Sequence, residues 1–272
     1  MSPWERLLEK PHTRGHFVQV CQPDEKSLLT NVALYFSEGL KRGEGALAIT
    51  TPLHQEVFIR ELGRSGVDTA SAIREKRLIC LDAEETLSQF MVAGRPDWTK
   101  FETTITKAMG AIQGQEDQSG PRLYGDMVGV LWSQRQFAAA VQLERFWNKL
   151  LARSSFSLYC AYSIDVFGKD FRVPPLEGVL RAHTHLMPCE SDGNLEAAID
   201  SAMDETLGAN ANSVRQLIQS NDRSSWAVMP KAETTILWLR KNLPDEAAQI
   251  IDRAREIYQQ THPATATASR PI

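Results

Sequence analysis

Glu144 and Asn148 stand one helical turn apart in the run QFAAAVQLERFWNKLL. At 100° per residue, Gln142, Arg145, Lys149 and Arg153 share one polar face, while Phe137, Val141, Leu143, Phe146, Trp147, Leu150 and Leu151 spread over the rest. Glu144 and Asn148 fall inside the apolar arc. A carboxylate and an amide there need hydrogen-bond partners or a ligand, because a buried unpaired charge is very costly. Two readings follow from the spacing. Either the pair lines a binding pocket, or Glu144 is structural and bonds a backbone amide or an arginine.

Other chemistry-bearing groups are sparser. His183 and His185 form an HTH triplet, whose imidazoles would share one side of a strand and could recruit Asp126 or His16 as further metal ligands. The stretch from Pro174 to Met187 reads better as a helix, where residues two apart diverge, so no metal site is expected. Ser163, His183 and Asp165 are the residue types of a nucleophilic triad, but no GxSxG turn frames the serine. The turn CQPDEKSLL carries Lys26 and Ser27 like the end of a phosphate loop. It has no glycine to form the backbone cradle, and Asp24 and Glu25 would repel phosphate. These absences predict a protein without catalysis and specify no cofactor.

The elements that must position these groups alternate. A short first helix precedes a strand over HFVQVC (16–21), a helix over 24–41, a strand over GALAIT (45–50), a helix from Pro52 to about Gly63, and a strand over RLICLD (77–82). Helices through DAEETLSQFM and over 97–114 follow. After the polar loop GQEDQSG come a strand over 123–126, a short apolar connector, the helix from about Gln136, and a strand over SLYCAY (157–162). Short apolar strands separated by helices predict an α/β fold with a mostly parallel sheet covered on both faces. Ligands of such sheets gather outside the strand carboxyl ends, where Gln22, Asp24, Thr50, Thr51, His54, Asp82, Asp126, Tyr162, Ser163 and Asp165 would emerge. Asp24 and Asp82 read as helix N-caps; Asp126 does not, since apolar residues follow it immediately.

The chain of 272 residues has a net charge of −4 and a hydrophobic fraction of 42%, values of an ordinary globular protein with one sizeable core plus an extension, or two domains. No basic surplus or nucleic-acid motif is present, so direct nucleic-acid binding is not expected. No apolar run is long enough for a signal peptide or a membrane span, which predicts a cytoplasmic protein. Cys21, Cys80, Cys160 and Cys189 lie far apart without a CxxC pair. Three of them sit in strand-like runs, as buried free thiols would.

The ordered segments HFVQVC, LKRGEGALAITTPLHQEVFIREL, RLICLDAEETLSQFMVAGRPDWTKF, RLYGDMVGVLW, LERFWNKLL, FSLYCAY and RAHTHLMP resemble the DcmR-type sensory (MEDS) domain over residues 16–188. The resemblance implies a plan like that of the KaiC and RecA group without its phosphate loop. It also implies a role in sensing small organic molecules in bacterial or archaeal signalling, usually with a histidine kinase or a DNA-binding regulator. The matched positions imply ligand-binding roles for His16, Gln19, Thr51, His54, Tyr124, Asp126, Glu144, Trp147, Asn148, His183 and His185, with Asp82 and Glu85 also in matched motifs. Two positions depart from the pattern: Cys21 stands where an aromatic is usual, and Asp126 where Glu is more frequent.

Residues 1–15 read as an N-terminal arm, 189–260 as a C-terminal helical segment, and 261–272 as a disordered tail. The helical segment carries Leu195, Ala198, Ile199, Ala202, Met203 and Leu207 on one stripe, with Ile236, Leu237, Leu239 and then Ala247, Ile250, Ile251, Ala254, Ile257 and Tyr258 on later ones. Trp226 and Trp238 exceed what one stripe per helix needs. The segment is therefore either a cap on the sheet or a surface for self-association or for a kinase or transcription regulator acting in trans. A RecA-like ATPase and a structural docking module are the alternatives to a sensor.

Overall fold

The computed structural model describes residues 3–21, 26–114, 120–171, 173–187, 192–221 and 231–261. The Gln22 to Glu25 part of the CQPDEKSLL turn, the loop 115–119, Cys189, Trp226 and the tail from 262 lie outside them. Helices α1 (Pro3–Glu9), α2 (Lys26–Lys41), α3 (Pro52–Arg64) and α4 (Thr69–Arg74) alternate with strands β1 (His16–Cys21), β2 (Ala46–Thr50) and β3 (Leu78–Asp82). Next come α5 (Ala83–Phe90), the antiparallel pair β4 (Met91–Val92) and β5 (Arg95–Pro96), α6 (Trp98–Gly110) and β6 (Arg122–Gly125). Then α7 (Met127–Ser133), α8 (Phe137–Leu151), β7 (Ser157–Ser163), α9 (Val173–Ala182) and β8 (His185–Met187) complete the sheet unit. Six strands form one sheet in the order β3-β2-β6-β7-β1-β8, and every neighbouring pair is parallel.

Alternation along each strand divides the core in two. Val18, Leu47, Ile49, Leu123, Leu158, Cys160 and Tyr162 face the layer of α5 to α9. Phe17, Ala46, Ala48, Tyr124, Tyr159 and Ala161 face the layer of α1 to α4. The helices start where polar side chains take up free amides: Thr51 caps α3 ahead of Pro52, Asp82 caps α5 through the Glu85 amide, and Asp97 caps α6 through the Lys100 amide.

Three local expectations are corrected. The end of the 174–187 stretch is not helical: α9 stops at Ala182, and His185–Met187 runs parallel to β1 as a sixth strand. Three residues carry too little periodicity to announce a strand; pairing with β1 supplies the ladder that makes one. The apolar connector after Asp126 is the helix α7, which buries Met127, Val128, Val130, Leu131 and Trp132. The 97–114 helix ends at Gly110.

The α1–α4 layer is pinned to the sheet by Arg122, which is only 2% exposed. Its guanidinium donates to Glu44 Oε2 at 2.6 Å and to the carbonyls of Leu8, Glu9 and Tyr35. Gly39 leaves the room: a Cβ there would sit 2.5 Å from the Arg122 Nε.

The C-terminal helices α10 (Asp192–Leu207), α11 (Ala211–Asn221), α12 (Lys231–Asn242) and α13 (Pro244–Thr261) share one continuous core with the α5–α9 layer. Arg240 on α12 donates to the carbonyls of Phe167, Gly168 and Phe171 in the loop after β7. Arg255 on α13 pairs with Asp165 of the same loop at 3.0 Å. Leu239 is fully buried, and Trp238 packs partly buried on the same core. A small apolar cavity lies at this seam, lined by Val20, Leu176, Leu180, Leu186 and Met187 with Glu233 of α12.

Candidate functional site

The sheet separates the residues singled out above into two groups. On the α5–α9 side, the helical period of α8 turns Glu144 inward, where it is fully buried. Its Oε1 accepts a 2.6 Å hydrogen bond from the Tyr162 hydroxyl. Around it stand His16 Nε2 at 3.3 Å, His183 Nε2 at 3.4 Å and Cys160 Sγ at 3.7 Å, all from buried side chains. Burial would push the Glu144 carboxyl up, but His183, His16 and the Tyr162 hydroxyl outweigh it and hold it below its ordinary value. Burial pushes the His183 imidazole down to about 4, against the Glu144 charge that raises it. Burial likewise raises the Cys160 thiol and the Tyr162 phenol well above their usual range, with Glu144 adding to both.

Backbone carbonyls fix both imidazoles. His183 Nδ1 lies 2.7 Å from the Val179 carbonyl, which can only accept, so Nδ1 carries a proton and Nε2 is the nitrogen turned to the cluster. His16 Nδ1 lies 3.0 Å from the Ala182 carbonyl and 2.9 Å from Asn148 Oδ1. The Asn148 amide nitrogen donates to the same Ala182 carbonyl at 2.7 Å, which leaves its oxygen facing His16. The second inward residue of the helix therefore orients the ring that faces the first. His16 Nε2, Glu144, Cys160 Sγ and His183 Nε2 offer four metal-ligating atoms, all within 4.8 Å of one another. Trp147 stands apart from this cluster, its ring set edge-on to Phe101 with centroids 4.9 Å apart.

On the other side, Asp126 closes the carboxyl end of β6. It occupies the N-cap position of α7 without capping it, because its oxygens are engaged elsewhere. Oδ1 accepts from the Tyr124 hydroxyl, and Oδ2 accepts from the Thr51 amide at 3.2 Å and lies 2.8 Å from His54 Nδ1. The Asp126 hydrogen bond raises the His54 pKa, with burial opposing it and the Asp126 charge adding to it. The His54 side chain is 29% exposed and gives this group an edge in solvent. β2 and β6 are neighbours, yet α3 leaves β2 toward one face and α7 leaves β6 toward the other. That reversal marks the topological switch point, outside which ligands of parallel sheets collect.

The remaining positions scatter. Gln19 is buried in the α1–α4 layer and accepts from the Tyr159 hydroxyl. His185 stacks on Phe17 with centroids 5.2 Å apart and so points away from Glu144, which ends the reading of His183 and His185 as one ligand pair. Asp82 is the N-cap that its position suggested. The sequence marks Cys160 only as a strand thiol and Tyr162 only as a strand-end polar group; the alternation of SLYCAY, which places both on one face, is the signal that joins them.

A search of curated proteins returns no match. None of the described helices is long and apolar enough to cross a membrane. The model of the MEDS family, described as MEthanogen/methylotroph, DcmR Sensory domain, matches residues 15–184. That span covers more than half of the chain and contains both polar constellations, and the chain belongs to the MEDS family.

Proposed function

We propose that this protein is a non-catalytic sensor of prokaryotic signal transduction that binds a small polar organic molecule at the crevice between β2 and β6. The observation that carries the reading is the junction of Thr51, His54 and Asp126 at the point where the helices after neighbouring strands part to opposite faces. His54 is the group a ligand would meet, since its ring reaches solvent while Asp126 holds it from behind. The family is named for methanogens and methylotrophs, which makes methanol, methylamines and methanethiol the first compounds to try. The all-parallel sheet is compatible with the KaiC- and RecA-like plan that the resemblance implies. Output would pass by contact, through the C-terminal helices, to a kinase or regulator acting in trans or to a second copy of the chain.

Calorimetry of the full chain against methanol, methylamines and methanethiol tests the site. Saturable heat for at least one compound, weakened tenfold or more in His54→Ala, is expected. No binding by any of them, or binding unchanged in both His54→Ala and Asp126→Asn, rejects it.

A further inference from the structure

We propose that His16, Glu144, Cys160 and His183 form a four-coordinate site for a divalent transition-metal ion of the zinc type, which ties β1, α8, β7 and the turn between α9 and β8 together. The inference is independent of the sensory reading, whose crevice lies across the sheet.

The four donor groups stand close enough to surround one ion. Bond lengths of about 2.0–2.1 Å to imidazole nitrogen, about 2.0–2.2 Å to carboxylate oxygen and about 2.3 Å to thiolate give edges of roughly 3.3–3.6 Å. The observed separations are 3.3 Å from His16 Nε2 to Glu144 Oε2, 3.4 Å from His183 Nε2 to Glu144 Oε1, 3.5 Å from Cys160 Sγ to His16 Nε2, and 3.7 Å from Cys160 Sγ to Glu144 Oε2. A direct imidazolium–carboxylate hydrogen bond would instead draw nitrogen and oxygen to about 2.7–2.9 Å. Both imidazoles keep their distance from the carboxylate.

The hydrogen-bond accounting agrees. Each ring holds its Nδ1 proton on a carbonyl and turns Nε2 toward the cluster, where His183 Nε2 has no hydrogen-bond partner among the described residues. A cation among these atoms would take the Nε2 lone pair of each ring in its neutral form. Carbonyl-held imidazoles of this tautomer are the usual outer support of metal sites.

Donor type and charge select the ion. Two imidazoles, one thiolate and one carboxylate suit a borderline ion and not magnesium or calcium, which take oxygen ligands. On binding, Cys160 releases its thiol proton to solvent while both imidazoles coordinate neutral. The two anions then balance the two positive charges, so the buried site has no net charge. Four protein ligands without a free position make it a closed site, filled as the chain folds.

The test uses the untagged full chain, stripped of metal and reloaded with Co2+. Expected are one ion per chain, the visible bands of tetrahedral Co2+, and a near-ultraviolet thiolate-to-cobalt band that Cys160→Ser abolishes and Cys80→Ser retains. His183→Gln should weaken Co2+ binding tenfold or more, whereas Asp126→Asn, across the sheet, should leave it unchanged. A folded wild-type chain that takes up no Co2+ or Zn2+ overturns the site. So does a bound ion that gives no thiolate band. Because the band is read on wild type, the test survives a variant that fails to fold.

Discussion

His54 Nδ1 lies 2.8 Å from Asp126 Oδ2, a contact that joins the first turn of α3 to the end of β6 across two neighbouring strands. It holds together the crevice in which the proposed ligand would sit, and it makes that crevice sensitive to pH.

Asp126 raises the His54 pKa above its ordinary 6.5, chiefly through this hydrogen bond. A raised folded-state pKa means that the contribution is full below the unfolded value and is lost as pH rises through the folded value. Wild type should therefore lose stability from pH 6 to pH 8 relative to His54→Gln. Urea unfolding of both chains at the two values measures it, and parallel curves would show that the pair does not titrate as described. In an NMR titration, Asp126→Asn should return the His54 pKa toward its ordinary value.

Tyr162→Phe removes the hydroxyl that donates to Glu144 Oε1 and leaves a fully buried carboxylate oxygen short of a donor. A loss of about 1–3 kcal/mol is expected from the price of an unsatisfied buried group. Denaturant melts of wild type and variant give the difference; less than about 0.5 kcal/mol would place Glu144 in water.

Arg122→Ala takes one of two arginines from Glu44, which keeps Arg42 Nε at 2.9 Å, and removes a donor from the carbonyls of Leu8, Glu9 and Tyr35. Breaking one side of a buried pair costs about 3–5 kcal/mol. Adding Glu44→Leu should recover part of that loss, since a carboxylate left with the exposed Arg42 goes while the carbonyls stay unmet. A double variant no better than the single one would show that the carbonyls, and not the ion pair, set the cost.

Ending the chain at Glu190 exposes the core that Leu195, Ala198, Ile199, Ala202, Ile236, Leu239 and Ile250 now share with the α5–α9 layer. The truncated chain should aggregate on purification, as a chain with a large bare apolar face does. Light scattering decides: a soluble monomeric truncation would make the C-terminal helices an independent unit.

Periodicity carried the sequence reading wherever one element's own chemistry decided the outcome. The inward turn of Glu144 and Asn148 follows from the 3.6-residue repeat of α8, the cap at Asp82 from its place before a helical run, and the parallel sheet from short apolar strands spaced by helices. What Glu144 meets could not be read that way, because its partners are 128 residues upstream in His16 and 39 downstream in His183. Only the strand order brings β7, β1 and the start of β8 side by side beneath α8, and only the pleat assigns Cys160 and Asp126 to opposite sides. A side chain's face is set locally by backbone period, whereas its partner across the core is set by pairing register, which no single segment encodes.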